Sequence, residues 1–167
     1  MRRLLLFVPI IFFYASLKGS QAQKEIDELT FRLVEKQLEG KVDKKAIERY
    51  MDMMQPDGSF TGIDYVTVTN NFRAGPHLKY LKAMAIAYRK KGSGYTDSKE
   101  LYRKILSGLD YWLKIRPVSK NWWFNDIGAP QDYMVPLILL KDEMSEDKLL
   151  YYSSYLEDKT GNKAHRG

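Results

Sequence analysis

The sequence predicts an all-α fold of helical hairpins stacked about an axis, a solenoid or an α/α toroid. Three observations carry this. Apolar residues recur at three-to-four spacing over several long segments. Those segments alternate with loops rich in Gly, Pro, Asn and aromatic residues, about every 40 residues along the chain. Only IDYVTVTN, residues 63–70, alternates like a strand, which predicts an extended arm or a short hairpin.

The first 22 residues read as a signal peptide. Arg2 and Arg3 precede an apolar run over residues 4–15, and the small residues Ser20 and Ala22 are placed for cleavage before Gln23. The run is short for a membrane span, although a retained anchor is the alternative. Cleavage leaves about 145 residues, enough for one domain with a core. It also removes three basic residues and no acidic ones, taking the formal charge from +6 to +3. So mild an excess suits an acidic polymer but is a weak footprint for nucleic acid. The chain has no cysteine, so an exported product rests on packing rather than disulfides, in the manner of a bacterial envelope protein.

The elements follow in order. IDELTFRLVEKQL (26–38) places Ile26, Leu29, Leu33, Val34 and Leu38 on one helical face. KKAIERYMDMM (44–54) is a short helix before the breaker QPDGSF, which reads as a turn. HLKYLKAMAIAYRKK (77–91) follows Pro76 and stops at Gly-Ser-Gly. DSKELYRKILSGLDYWLKI (97–115) is ended by Pro117, and its Trp112 sits at a core position. PQDYMVPLILLKDEM (130–144) is a fourth such helix, one that Pro136 kinks or delays. EDKLLYYSSYLED (146–158) is the last, and Tyr151, Tyr152 and Tyr155 alternate with leucines there as packing residues.

Familiar catalytic motifs are missing. His77 and His165 are far apart with no cysteine to join them in a metal site, and there is no phosphate loop, nucleotide fingerprint or GxSxG elbow. No metal or other cofactor is expected. What remains is NWWFN, residues 121–125. Adjacent residues point about 100° apart on a helix and to opposite faces on a strand, so one core does not take both tryptophans. Trp122 and Trp123 offer faces that stack on the C–H surface of sugar rings, and Asn121 and Asn125 both donate to and accept from hydroxyls and carboxylates. The competing reading has the indoles wedged between helices, with Asn125 or Asp126 capping the next one. A second candidate is the turn Thr160, Gly161, Asn162 with Lys163, His165 and Arg166 behind it. It suits a uronate carboxylate, or else is a solvated helix end whose cations complement the dipole.

The segments QPDGSFTGIDY, LDYWLKIRP, NWWFNDIGAPQ and DKTGNK occur in the order found in polysaccharide lyase family 8, the chondroitin AC, hyaluronate and xanthan lyases, and the chain resembles that family over nearly its whole mature length. The resemblance implies an N-terminal α/α toroid with a long cleft, followed in a full-length protein by β-sandwich domains. On that basis residues 23–167 are helical hairpins forming part of an incomplete toroid. Trp122 and Trp123 map onto the family's aromatic patch. Asn162 maps onto the asparagine of the TGAN-type turn that binds the uronate carboxylate, here in a turn one residue shorter. The family cleaves by β-elimination: the C5 proton of the uronic acid is removed, the C4–O bond breaks, and an unsaturated sugar results. A hydrogen-bonding amide lowers the barrier by stabilising charge that builds on the carboxylate.

The family's catalytic tyrosine, histidine and assisting arginine lie downstream of that turn, and neither His165 nor any tyrosine here matches their motifs. The chain is therefore expected to supply the substrate cleft of an exported bacterial lyase, periplasmic or secreted, acting on an acidic glycosaminoglycan, and to be inactive by itself. Other classes predict other features. A non-catalytic glycan-binding module uses Trp122 and Trp123 without chemistry, and an inverting toroidal hydrolase needs two carboxylates, for which Asp64 and Asp126 are the loop acids available. A helical scaffold depends on loop charge instead.

Overall fold

A computed structural model describes the backbone of residues 7–160 and the side chains of residues 21–157. The described chain is helical, without a strand; one isolated antiparallel bridge joins Met54 and Phe60. No described helix is long and apolar enough to cross a membrane.

The chain divides into two units, residues 1–39 and 40–167. The first consists of helix α1, Phe7–Leu38. It is one uninterrupted helix through the expected cleavage position, and Ile26, Leu29 and Phe31 are exposed on it. Side-chain pairs one turn apart, Gln23 with Asp27 and Arg32 with Glu28, support it.

The second unit contains α2 (Lys44–Met53), α3 (Gly75–Arg89), α4 (Lys99–Ile115), α5 (Ala129–Leu140) and α6 (Glu146–Thr160). Local chemistry sets their ends. The Asp43 carboxylate accepts from Ala46 N at 3.1 Å and starts α2, while the Ser98 hydroxyl accepts from Leu101 N at 3.3 Å and starts α4. Pro76 stands in the first turn of α3, where no N–H is needed. Arg116 ends α4 in the left-handed region at φ 47°, and Pro117 prevents continuation.

α3 packs against α2, α4 and α5, and α6 closes over α4 and α5. The core comprises Leu78, Leu81 and Met84 of α3, Leu101, Ile105, Leu109 and Trp112 of α4, and Tyr133, Leu137 and Leu140 of α5, all buried. α5 is apolar on nearly every side and correspondingly buried. Pro136 does not delay its start; it lies inside a helix that already begins at Ala129. Of the α6 tyrosines, Tyr152 and Tyr155 are core residues and Tyr151 is exposed. The Tyr133 hydroxyl donates to Tyr152 O at 3.1 Å, and the Tyr152 hydroxyl donates to the Asp110 carboxylate at 2.9 Å.

Residues 63–70 form no hairpin. The Asp64 carboxylate accepts from Val66 N and Thr67 N at 3.0 and 2.9 Å, which curls the arm into a side-chain-mediated turn. The arm is irregular because its partner is a loop: Thr69 O accepts from Lys120 N at 2.9 Å and from the Ser119 hydroxyl at 2.9 Å.

Candidate functional site

The loop after α4 is built to hold its tryptophans outward. Ser119 is buried, and its hydroxyl donates to Thr69 O while accepting from Asn121 N at 3.1 Å. Asn125 grips the same residue from the other side: its Oδ1 accepts from Ser119 N at 2.8 Å and its Nδ2 donates to Ser119 O at 2.8 Å. Asn121 supplies the cap, its Oδ1 accepting from Trp123 N at 3.1 Å. The cap is therefore Asn121 rather than Asn125 or Asp126. Asn121 Nδ2 has no hydrogen-bond partner among the described residues, which leaves a donor beside the indoles.

A π-helical turn then runs over Phe124–Gly128, with Ala129 N donating to Phe124 O. Such a turn widens the helix and brings residues five apart into register, and it is frequent at functional sites. Here it sets Trp123 over Gly128: a Cβ on Gly128 would lie 2.6 Å from Trp123 Cζ3.

Both indoles meet solvent. Trp122 is 63% exposed and Trp123 43% exposed, so neither is a wedge in the core. Trp123 nevertheless stands at the end of a continuous aromatic ladder. Trp123 meets Phe124 edge-on at 5.3 Å, Phe124 stacks on Phe72 at 5.6 Å, and Phe72 meets buried Trp112 edge-on at 5.9 Å. The Trp123 ring is thereby tied to the core while it stays open to solvent. Beside Trp123 lies a cleft of about 370 Å³, lined by Phe72, Lys79, Trp123, Gly128, Gln131 and Asp132 among others. The Asp132 carboxylate pairs with Lys82 Nζ at 3.3 Å.

The structure thus brings Asn121, Trp122, Trp123 and Asn125 together in one segment. Asn162 and His165 lie outside the described residues. Asp64, a nominee for hydrolysis, is held down to about 2, first by the Thr67 hydroxyl and amide, then by the Val66 amide and Arg73. A general acid requires the opposite displacement. Among the described residues no group of three or more His, Cys, Asp or Glu side chains could hold a metal ion.

One polar knot has no counterpart in the sequence motifs, where His77 figures only as a possible metal ligand. His77 is fully buried, with Nε2 2.9 Å from Gly108 O and Nδ1 2.9 Å from the Tyr65 hydroxyl. Since a carbonyl only accepts, Nε2 carries the proton and Nδ1 accepts from Tyr65, whose oxygen in turn accepts from Phe60 N at 2.9 Å. Burial lowers the imidazole to about 4 and raises the Tyr65 phenol. His77 lies buried against Phe60 of the QPDGSF turn, and Tyr65 is half-buried beside it. The knot's signal was available in a histidine just inside a helix start, aligned with a helical glycine on the next helix.

Comparison with known proteins agrees with the helical fold. The family model for polysaccharide lyase family 8, N-terminal alpha-helical domain, matches residues 20–166. Chondroitinase-AC of Pedobacter heparinus is 33% identical over 98 residues, 58% of this chain and 14% of that protein. Hyaluronate lyase HylB of Enterococcus faecalis is 33% identical over 87 residues, 47% of this chain and 9% of that protein. A solved chondroitinase AC lyase, studied as oligosaccharide complexes, superposes with a TM-score of 0.68 at 27% identity, over 78% of this chain and 20% of that one. The chain spans a small fraction of the relatives it matches.

Proposed function

Because the chain belongs to polysaccharide lyase family 8, matching its N-terminal helical domain, we propose that it supplies substrate-cleft residues of an exported bacterial lyase that cleaves chondroitin- or hyaluronan-type polysaccharide by β-elimination. The observation that carries this reading is the exposed pair Trp122 and Trp123, of which Trp123 is held by a core-anchored aromatic ladder at the rim of a cleft. A rigid aromatic surface binds a sugar ring with little ordering cost and sets its register.

In this reading Trp122 and Trp123 stack on the sugar, and the Asn121 amide hydrogen-bonds to it. Asn125 acts through the loop, since one oxygen lone pair and one N–H of its amide are already engaged by Ser119. Asn162 supplies the amide that binds the uronate carboxylate and stabilises its charge as the C5 proton leaves. The electron pair from the C5–H bond forms the C4–C5 double bond, and the C4–O pair departs with the leaving sugar, which takes up a proton. The acid–base groups come from the family's downstream segment, and residues 1–22 address the protein for export.

A non-catalytic glycan-binding module shares the aromatic floor. It gains weight from the burial of His77, whose Nδ1 is engaged by the Tyr65 hydroxyl. Two measurements separate the readings. The chain is expected to bind chondroitin or hyaluronan oligosaccharides, with Trp122→Ala and Trp123→Ala each weakening binding by about tenfold or more. Absorbance of the unsaturated product is expected to rise only when the downstream acid–base segment is joined to this chain, and to be abolished by Asn162→Ala. Failure to bind either polymer overturns the proposal. Binding without elimination by the joined protein favours the module.

A further inference from the structure

The lining of the cleft beside Trp123 carries two charges, Lys79 and Asp132, and only the carboxylate has an ion-pair partner. Helix α3 carries Lys79 and Lys82 one turn apart, and they differ in what faces them. Lys82 is neutralised by Asp132 at 3.3 Å. Lys79 lines the cleft itself, and among the described residues it has neither an ion-pair nor a hydrogen-bond partner. The cleft thus joins one uncompensated ammonium to the exposed indole of Trp123 and the carboxamide of Gln131. Its volume of about 370 Å³ admits a sugar ring or a substituent of one.

Each part selects for something different. The indole takes the apolar face of any pyranose and does not distinguish charge. Gln131 donates to or accepts from hydroxyls and acetamides alike. Only Lys79 discriminates, because its attraction requires an anion. A neutral glycan would leave that ammonium hydrated and unused, whereas an acidic one places a carboxylate or sulfate within reach while the ring lies on Trp123.

We propose that Lys79 is the charge-selecting residue of this cleft, reading an anionic substituent, carboxylate or sulfate ester, on the sugar at or next to the ring stacked on Trp123. The inference rests on the reading of the site as a glycosaminoglycan cleft and adds a residue that sorts acidic from neutral chains.

The test is a tryptophan-fluorescence titration of the full chain with size-matched oligosaccharides of hyaluronan, sulfated chondroitin, unsulfated chondroitin and carboxyl-reduced hyaluronan, at low and high salt. Lys79→Ala is expected to weaken binding of the acidic oligosaccharides by about fivefold, and to flatten its dependence on salt. Lys79→Arg should retain binding, and the neutral carboxyl-reduced oligosaccharide should bind wild type and variants alike. Lys79 is exposed, so the melting temperature should not move. A loss shared by hyaluronan and both chondroitins assigns the carboxylate as the group read; a loss confined to sulfated chondroitin assigns the sulfate ester. Equal affinity of wild type and Lys79→Ala for every acidic oligosaccharide overturns the inference. If Trp123→Ala still abolishes binding in that case, the glycan cleft itself stands. Absence of binding by the wild-type chain overturns both.

Discussion

Trp123 rests on Gly128 so closely that a single added carbon on the glycine would come within 2.6 Å of the indole Cζ3. The π-turn between them creates that approach. Gly128→Ala must therefore displace the ring. The atom that yields belongs to a half-exposed side chain rather than to the backbone, and alanine favours helix over glycine by about 1 kcal/mol. Stability is expected to change by less than about 1 kcal/mol while affinity for acidic oligosaccharides falls about tenfold. Thermal melting and fluorescence titration of one preparation check both halves. A large drop in melting temperature with unchanged affinity would contradict this.

The grip of Asn125 on Ser119 predicts a second separation. Asn125→Asp keeps the shape but turns the Nδ2 donor, 2.8 Å from Ser119 O, into an oxygen facing an oxygen. One hydrogen bond is lost and a repulsion is gained, at about 1–2 kcal/mol. The loop carrying Trp122 is the part released, so fluorescence quenching by a small solute should increase more than the loss of global stability accounts for. Identical quenching in wild type and Asn125→Asp would show that the clamp does not hold the tryptophans.

What was legible in the sequence was whatever depends on local pattern. The periods of α2, α3 and α4, the stop at Pro117 and the core position of Trp112 follow from residues near in sequence. The outward placement of Trp122 and Trp123 was half legible, because adjacency alone forbids one shared core. The π-turn was not, since a five-residue repeat leaves no periodic signature over a single turn. Nor was the division of labour between the asparagines: Asn121 and Asn125 carry the same amide, and only the approach of Ser119, held by Thr69, assigns one to the cap and the other to the clamp. The alternation in residues 63–70 misled because its amides turn inward to Asp64 instead of forming a ladder.

The QPDGSF turn is more than a connector. Gly58 has φ +89°, and a Cβ there would lie 2.1 Å from the Ser107 carbonyl oxygen on α4. Both the left-handed backbone and a clash with rigid helical backbone oppose any side chain. Gly58→Ala is expected to cost about 3 kcal/mol or more and to lower the melting temperature by about 10 °C. Gly62→Ala is the control. It shares a positive φ of +82° but meets nothing within 4 Å, so only the backbone cost of about 1–2 kcal/mol applies. Equal effects at the two positions would remove the contact with Ser107 from the explanation.

His77 makes the fold sensitive to mild acid. Its imidazole is buried between Phe60, Trp112, Tyr111 and the Tyr65 hydroxyl, with no carboxylate among its recorded hydrogen-bond or ring contacts. Burial lowers it to about 4 from the usual 6.5. Between those values the unfolded chain binds a proton that the folded chain does not, so stability falls as pH falls. The contribution is complete above about 6.5 and is lost progressively down to about 4, on the order of 3 kcal/mol in all. Asp64 acts in a lower window. Its stabilisation is present above 3.8 and fades as pH falls toward about 2, so the two groups separate on the pH axis. His77→Gln cannot titrate. It is expected to be less stable at neutral pH, through lost packing and altered hydrogen bonding, yet to lack the slope between about 6.5 and 4. Urea unfolding of both proteins across that range measures the difference directly. Parallel curves would mean that another group carries the proton, and converging curves toward pH 4 identify His77.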